Sequence, residues 1–311
     1  MKQIVSVSLG SSSRNKAFET ELAGERFSVS RIGVDGDMKA FAEKLTELDG
    51  RVDAIGLGGI DMYLWVDGKR YTVRDAAKLA SCVSKTPVVD GSGVKNTIER
   101  MTVEHLQSSG TVDFSAAKVM MVCSLDRFGM AEAIRRYTGP HNFLFGDVMF
   151  ALGLNIPVYS YQNMKRLAKT LLPVFVKLPF SLLYPTGKSQ KEIKPAFTDK
   201  YRWADVIAGD YLYIKKHLPE PASGALEDKV ILTNTLTEGD VEDLKQRGVR
   251  LIVSSTPNLG GRNFGTNVLE GIITVLLGKS IYEASREELE RVLDDIGWKP
   301  SVVYNRNTIK D

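Results

Sequence analysis

Along the whole chain, short β-branched runs end in glycine or small polar residues and then give way to a helical pattern. Ile4 to Leu9 runs into Gly10-Ser11-Ser12-Ser13, VDAIGL into Gly58-Gly59, TPVV into Asp90-Gly91-Ser92-Gly93, and Lys118 to Cys123 into Ser124-Leu125-Asp126-Arg127. Later come Asp205 to Ala208 with Gly209-Asp210, KVIL with Thr233-Asn234-Thr235, and RLIV with Ser254-Ser255-Thr256. Strands that alternate with helices in this way bury both faces of mainly parallel sheets. The expected fold is α/β: two Rossmann-like, mainly parallel sheets flanked by helices, with a β-hairpin insertion in the first. The insertion is MYLWVDGKRYTV at 62–73, where Asp67-Gly68 between two strand-like arms predicts a tight turn. A polar break at 109–117 divides the reading into an N-terminal Rossmann-like domain with the hairpin, residues 1–112, and a C-terminal Rossmann-like domain of nucleotide-binding type, residues 113–311.

Helix ends are marked locally. Asp37 caps MKAFAEKLTEL, Thr237 caps TEGDVEDLKQRG ahead of the stop at Gly248, and Ser285 with Glu288 forms a capping box for the last helix. A helix is expected to start just after Lys95. The stretch FLFGDVMFALGLNIPVYSYQNMKRLAK reads as helix, strand, helix, and the lysine-rich segment 185–202 as a mobile, exposed lid or linker. The apolar stretch from Leu167 to Tyr184 is interrupted by Lys169, Pro173, Lys177 and Pro179, so it predicts a packed helix and an extended segment; a span needs about 20 largely apolar residues.

Composition excludes several classes. Of 311 residues, 43% are hydrophobic and 25% charged, enough for a full core. The net charge of +3, from 41 basic and 38 acidic residues, is too small for nucleic acid or a membrane surface as the main partner. The polar N-terminus is not a signal peptide, so a cytoplasmic protein with a small-molecule ligand is expected, and a homo-oligomer stays open. Cys82 and Cys123 are expected as buried thiols, and three histidines without HExxH spacing predict no metal site.

In a parallel sheet, ligands bind beyond the carboxyl ends of the strands. Two loops there stand out. In VVDGSGVKNTIE, glycine turns and a helix start would present free amides to an anion, with Lys95 adding charge or moving a proton. In SSTPNLGGRNFGTN, Arg262 can clamp an anionic group and Asn263 and Asn267 can fix hydroxyls. The candidate acid–base residues are Lys95 and Asp126. Ser124, Arg127, Asn234, Thr235, Ser255 and Thr256 are expected along a cofactor, and Asp90, Ser92, Arg262, Asn263 and Asn267 along a substrate. The loops at 90–95, 124–127 and 256–267 should then share one cleft. G-x-G-x-x-G, a P-loop and G-x-S-x-G are all absent from the sequence.

Taken together, VSVSLGSSSR, DAIGLGGIDMYLWVDGKRY, TPVVDGSGVKNTIE, DRFGMAEA, FGDVMFALGL and GRNFGTNVLEG resemble a bacterial family known as quinate 5-dehydrogenase or shikimate-dehydrogenase-like. The resemblance runs over nearly the whole chain. It implies a Rossmann-like oxidoreductase that uses NAD or NADP on a small hydroxylated or carboxylated metabolite. The alternative from the residues is a non-catalytic sensor of a nucleotide or phosphorylated metabolite, using the same loops without proton transfer. The N-V-T-x-P-x-K and G-x-N-T-D segments of true shikimate and quinate dehydrogenases do not occur, and Lys95 in DGSGVKNT is a loose analogue of the first.

Overall fold

The computed structural model describes residues 1–178, 193–256 and 265–305, together with the backbone at 258–259 and 262–263. It is the α/β arrangement expected, with two main sheets. In the first, β1 (Lys2–Ser8), β3 (Glu25–Gly33), β4 (Ala54–Gly58) and β7 (Val88–Val89) are parallel, and β2 (Lys16–Leu22) lies antiparallel on the edge beside β3. The order is β2-β3-β1-β4-β7. Edge strand β2 was not legible as a strand in the sequence: its KAFETEL leaves most side chains exposed, so no buried run marks it. The hairpin follows β4 as β5 (Tyr63–Val66) and β6 (Lys69–Thr72), with Asp67 and Gly68 at φ 53° and 74°. Both residues in the left-handed region is what a two-residue hairpin turn requires.

The second sheet holds β8 (Val119–Met121), β9 (Phe143–Phe145), β10 (Val206–Ala208), β11 (Val230–Thr233) and β12 (Leu251–Ser254), all parallel, and an antiparallel β15 (Ser301–Tyr304) on the edge. A small pair, β13 (Asn258–Leu259) and β14 (Arg262–Asn263), lies between β12 and the next helix. The order β15-β12-β11-β10-β8-β9 means the chain steps outward from β8 to β9 and returns to the other side of β8 as β10. Between β8 and β10, the strand order reverses. In the first sheet it reverses between β1 and β4. Such switch points open a crevice at the carboxyl ends of the strands.

Helices cover the sheets: α1 (Met38–Leu48), α2 (Arg74–Ala80), α3 (Ser92–Ser108), α4 (Phe128–Tyr137), α5 (Asp147–Leu152), α6 (Tyr161–Phe175), α7 (Thr198–Trp203), α8 (Tyr211–Lys216), α9 (Glu238–Gln246), α10 (Thr266–Leu277) and α11 (Arg286–Asp295). The expected caps are present at Asp37, Thr237 and Ser285, the last two as full capping boxes. Three expectations need correction. FLF is strand β9, not helix, because Phe143, Leu144 and Phe145 are buried on both faces beside β8. In the 185–202 segment, residues up to 192 lie outside the described ones, but 198–203 is helix α7, anchored by a fully buried Tyr201 whose hydroxyl donates to the Ile214 carbonyl at 3.0 Å. Cys123 is buried as expected, whereas Cys82 is exposed beyond the end of α2.

Period-two alternation sorts the sheet residues into layers. Val119 and Met121 join one apolar cluster and Met120 another; Leu251 and Val253 separate from Ile252 in the same way. The first cluster continues into Val5, Val7, Ile55 and Leu57 of the first sheet, so the two halves share a core. Helix α10 returns to the first sheet, where Leu269, Ile272 and Ile273 pack with Ile4 and Ala54. Among the described residues, no helix is long and apolar enough to cross a membrane.

At Gly91, where α3 begins, φ is 91° and a Cβ would stand 2.5 Å from Thr266 Oγ1 and 2.6 Å from the Asn267 nitrogen. Gly110 also has positive φ, but nothing lies within 4 Å of its Cβ position. Gly110→Ala should cost about 1–2 kcal/mol, the left-handed penalty alone. Gly91→Ala should cost roughly 2 kcal/mol more, because overpacking adds to the backbone term. Urea unfolding of both variants checks this, and equal losses would mean that α10 yields freely at Gly91.

Candidate active site

Asp61 follows β4 at the switch point of the first sheet, and Asp126-Arg127 follows β8 at the switch point of the second. Lys95, in the first turn of α3, lies between them. Its Nζ is 2.9 Å from Asp126 Oδ1 and 3.5 Å from Asp61 Oδ1. Arg127 completes the cluster. Its guanidinium binds Glu99 one helical turn beyond Lys95, and reaches Asp210 Oδ2 after β10 at 2.7 Å. Asn234 Nδ2, after β11, donates to the same Asp210 oxygen at 2.9 Å. Lys95, Glu99 and Arg127 are buried, while Asp61 and Asp126 keep partly exposed side chains.

Burial works against the charge on Lys95, but Asp126 and Asp61 outweigh it and hold its pKa above the ordinary lysine range. Lys95 is therefore a fixed cation. Burial likewise opposes ionisation of Asp126, yet Lys95 and Arg127 hold its pKa low. Asp61 differs. Burial, aided by the Asp126 and Asp90 charges, pushes it up to about 7 against the pull of Lys95. Asp61 thus changes protonation near neutral pH, and when protonated it hydrogen-bonds Asp126. Burial also raises Glu99.

Tyr63 and Trp65 of the hairpin face this cluster across a cleft of about 240 Å³, its open mouth included, whose floor holds Lys95, Glu99, Asp126 and Arg127. Three buried polar atoms in its lining have no hydrogen-bond partner: Trp65 Nε1, Glu99 Oε2 and Arg127 Nε. The hairpin is tied down on both flanks. Asp90 accepts from the Met62 and Tyr63 amides at 2.5 and 3.2 Å, and Lys165 and Lys169 of α6 hold Asp67 at 3.2 and 3.1 Å.

Of the residues expected from sequence, Lys95, Asp126 and Arg127 meet directly, and Asn234 joins them through Asp210. Asp90 and Ser92 lie just behind, with Ser92 Oγ 2.9 Å from both Asp90 Oδ1 and the Tyr282 hydroxyl. Thr235 and Thr256 pair with each other at 3.1 Å beyond β11 and β12, and Ser255 is buried with its carbonyl accepting from Trp298. Ser124 donates to Asp147, which also takes the Leu125 amide at 2.8 Å. Asn267 is committed to Ser6 Oγ at 2.7 Å against the middle of the first sheet. The side chains of Arg262 and Asn263 lie outside the described residues.

The expected anion site at the start of α3 needs correction. The helix starts at Ser92, not after Lys95, and its first amides are taken internally: Ser92 N by Asp90 Oδ1 at 3.2 Å and Val94 N by Glu270 Oε2 at 2.9 Å. Two carboxylates of the chain already stand where an anion would bind. Burial, with Asp90 nearby, pushes Glu270 up to about 8. Sequence reading missed Asp61, Glu99, Asp210 and Glu270. Usable signals existed. Glu99 is four residues after Lys95 on one helix face, and Glu270 is a lone acid in the apolar run VLEGIITVLL.

A pyrophosphate needs free amides at a helix start beside a strand end. Three strand ends of the second sheet have theirs taken by the chain itself. Asp210 caps α8 through the Leu212 amide at 2.8 Å, Thr237 and Asp240 cap α9, and Asp147 takes Leu125. Gly129 at the start of α4 is packed against Asn96, with 2.4 Å from its Cβ position to Asn96 Oδ1. The start of α4 has no side-chain cap, so its first amides are not taken in the same way. Among the described residues, no group of three or more His, Cys, Asp or Glu is placed to hold a metal ion.

A family model described as Domain of unknown function (DUF8754) matches residues 93–305, more than half of the chain. The chain belongs to this family. A second model, Domain of unknown function (DUF8753), matches residues 3–90, so the two meet at the Gly91 turn. Neither description names a dehydrogenase. No curated protein matches the chain. Similar solved structures include a glutamate dehydrogenase from Thermus thermophilus, 13% identical over 94% of this chain and 74% of that one, with TM-score 0.44. Another is the glucose-galactose binding protein GanP from Geobacillus stearothermophilus, 9% identical over 98% of each chain, TM-score 0.41. A malic enzyme from Entamoeba histolytica is 12% identical over 88% of this chain and 58% of that one, TM-score 0.39. Likenesses this distant have no bearing on what the chain does.

Removing the Arg127 guanidinium leaves Glu99 and Asp210 facing each other's vicinity without a cation. Arg127→Ala should cost about 3–5 kcal/mol, as for other broken buried pairs. Arg26→Ala, which breaks the exposed pair with Glu19, should cost about 1 kcal/mol or less. Urea unfolding at neutral pH separates the two, and similar costs would show that the Arg127 cluster is as weakly held as a surface pair.

Proposed function

We propose that the chain is an enzyme that binds a small hydroxylated metabolite in the cleft between its sheets and moves a proton on it. The observation behind this reading is the Lys95 cluster, in which the switch points of both sheets meet. In it, Asp61 is the acid–base group, because a proton carrier works best with a pKa near the working pH. Lys95 is the fixed positive charge that stabilises negative charge developing on a substrate oxygen. Asp126 holds Lys95 in place and shares the Asp61 proton. A cytoplasmic setting accords with the proposal.

An oxidoreductase of the quinate or shikimate dehydrogenase type is the finer form of the same proposal. NAD or NADP would supply hydride transfer when bound. Capping at α8 and α9 leaves the uncapped start of α4 as the place for that cofactor's phosphates; the proton-transfer reading is preferred because it rests on the Lys95 cluster alone.

Thermal-shift measurements with small polyols, hydroxy acids, amino alcohols, mononucleotides, NAD and NADP test the reading. A ligand at 100 times its Kd should add about 2.7 kcal/mol to the native state. The shift should vanish in Lys95→Met and persist in Asp61→Asn. No stabilising compound, or equal shifts in Lys95→Met, defeats the cleft as the site. A shift with NAD or NADP would restore the dehydrogenase reading.

The raised pKa of Asp61 also sets a pH dependence. A carboxyl whose folded pKa lies above its unfolded value of about 4 keeps more protons folded than unfolded between the two, so its contribution falls as pH rises toward about 7. Asp61→Asn, which does not ionise, should therefore gain stability relative to wild type from pH 4 to 8. Unfolding curves across that range check the sign, and a constant gap would mean that Asp61 ionises normally.

A further inference from the structure

We infer that the ligand of this cleft is a small hydroxylated amine, bound as its cation, and not a carboxylate. The inference rests on the reading of the cleft as the ligand site, and deepens it by naming the ligand class.

Three observations converge. The first is charge. Asp61, Glu99, Asp126 and Asp210 surround two cations, Lys95 and Arg127, and each cation already contacts more than one of them. An incoming carboxylate would have to displace a carboxylate of the chain and add to an excess of negative charge. An ammonium group reduces that excess.

The second is the aromatic wall. Arg70 of the hairpin lays its guanidinium 4.4 Å from the Tyr63 ring centre, 5.1 Å from that of Tyr282 and 5.8 Å from that of Trp65. Tyr63 and Trp65 also line the cleft. Tyr63 and Tyr282 meet edge to face at 5.4 Å, so the rings form a fixed group. This wall already holds one cation by its ring faces, the interaction that recognises ligand ammonium groups elsewhere. Arg70 is exposed and can leave it at little cost.

The third is the set of unpartnered atoms. Glu99 Oε2 is an acceptor in need of a donor and Trp65 Nε1 a donor in need of an acceptor, while Arg127 Nε has the Asp126 carboxylate at 3.5 Å. An ammonium only donates and a carboxylate only accepts. A molecule with an ammonium for Glu99 and a hydroxyl for the Trp65 ring N–H meets both needs.

Three matched probes decide the matter: trans-2-aminocyclohexanol, trans-1,2-cyclohexanediol and 2-hydroxycyclohexanecarboxylate, titrated by calorimetry into the full chain. The amino alcohol should bind at least 10-fold more tightly than the diol, and the carboxylate more weakly than both. Arg70→Gln, an exposed change that leaves the cleft floor intact, should tighten or preserve amine binding. Glu99→Gln should remove most of the preference for the amine while diol binding remains. If Glu99→Gln fails to fold, the Arg70→Gln comparison and the three wild-type affinities still decide. Tighter binding of the diol or the carboxylate, lost in Lys95→Met, overturns the amine inference and leaves the cleft as the site. Binding of the amine unaltered by Lys95→Met, or no binding by any probe, overturns the inference, and in the first case the cleft reading with it.

Discussion

A single buried cation, Arg127, holds the two halves of this protein in register. It stands at the end of the first strand of the second sheet, yet it binds Glu99 on the helix that leaves the first sheet and Asp210 on the loop after β10. Burial alone would make such a charge unfavourable; Glu99, Asp126 and Asp210 outweigh that penalty and hold the guanidinium firmly protonated. Because α3 and α4 pack side by side around this pair, a shift of one half relative to the other would have to separate charges in a medium where separation is costly.

That constraint fixes the chemistry next to it. With Arg127 anchored, Asp126 is held beside Lys95, and Lys95 is held beside Asp61. The cluster has more carboxylates than cations, so some of them must carry the imbalance as a raised pKa. Asp61 and Glu99 both do so, since Lys95 and Arg127 act most strongly on Asp126. A carboxyl with its pKa near neutral thus arises from counting and burial.

A second layer of carboxylates shapes what the site excludes. Asp90, Glu270, Asp147 and Asp210 each accept from backbone amides near helix starts or strand ends. In many sheets of this order those amides are left for phosphate. Here the amides at Ser92, Val94, Leu125 and Leu212 are satisfied from within the chain.

The alternation of β-branched runs and helical patterns determined the α/β class, the hairpin at Asp67-Gly68 and the caps at Asp37, Thr237 and Ser285, because all of these depend on neighbours within a few residues. It also marked Lys95, Asp126 and Arg127, since strand ends are local features too. Edge strand β2 escaped, having no buried run to betray it, and FLF was misread because three apolar residues fit a helix as well as a buried strand. Only the tertiary structure decided that Asp61 joins Lys95, that Glu99 and Asp210 share Arg127, and that Glu270 fills the start of α3 from 176 residues away. Such pairings depend on which strands lie beside each other at the switch points, and strand order is a property of the packed sheet that no local stretch of sequence encodes.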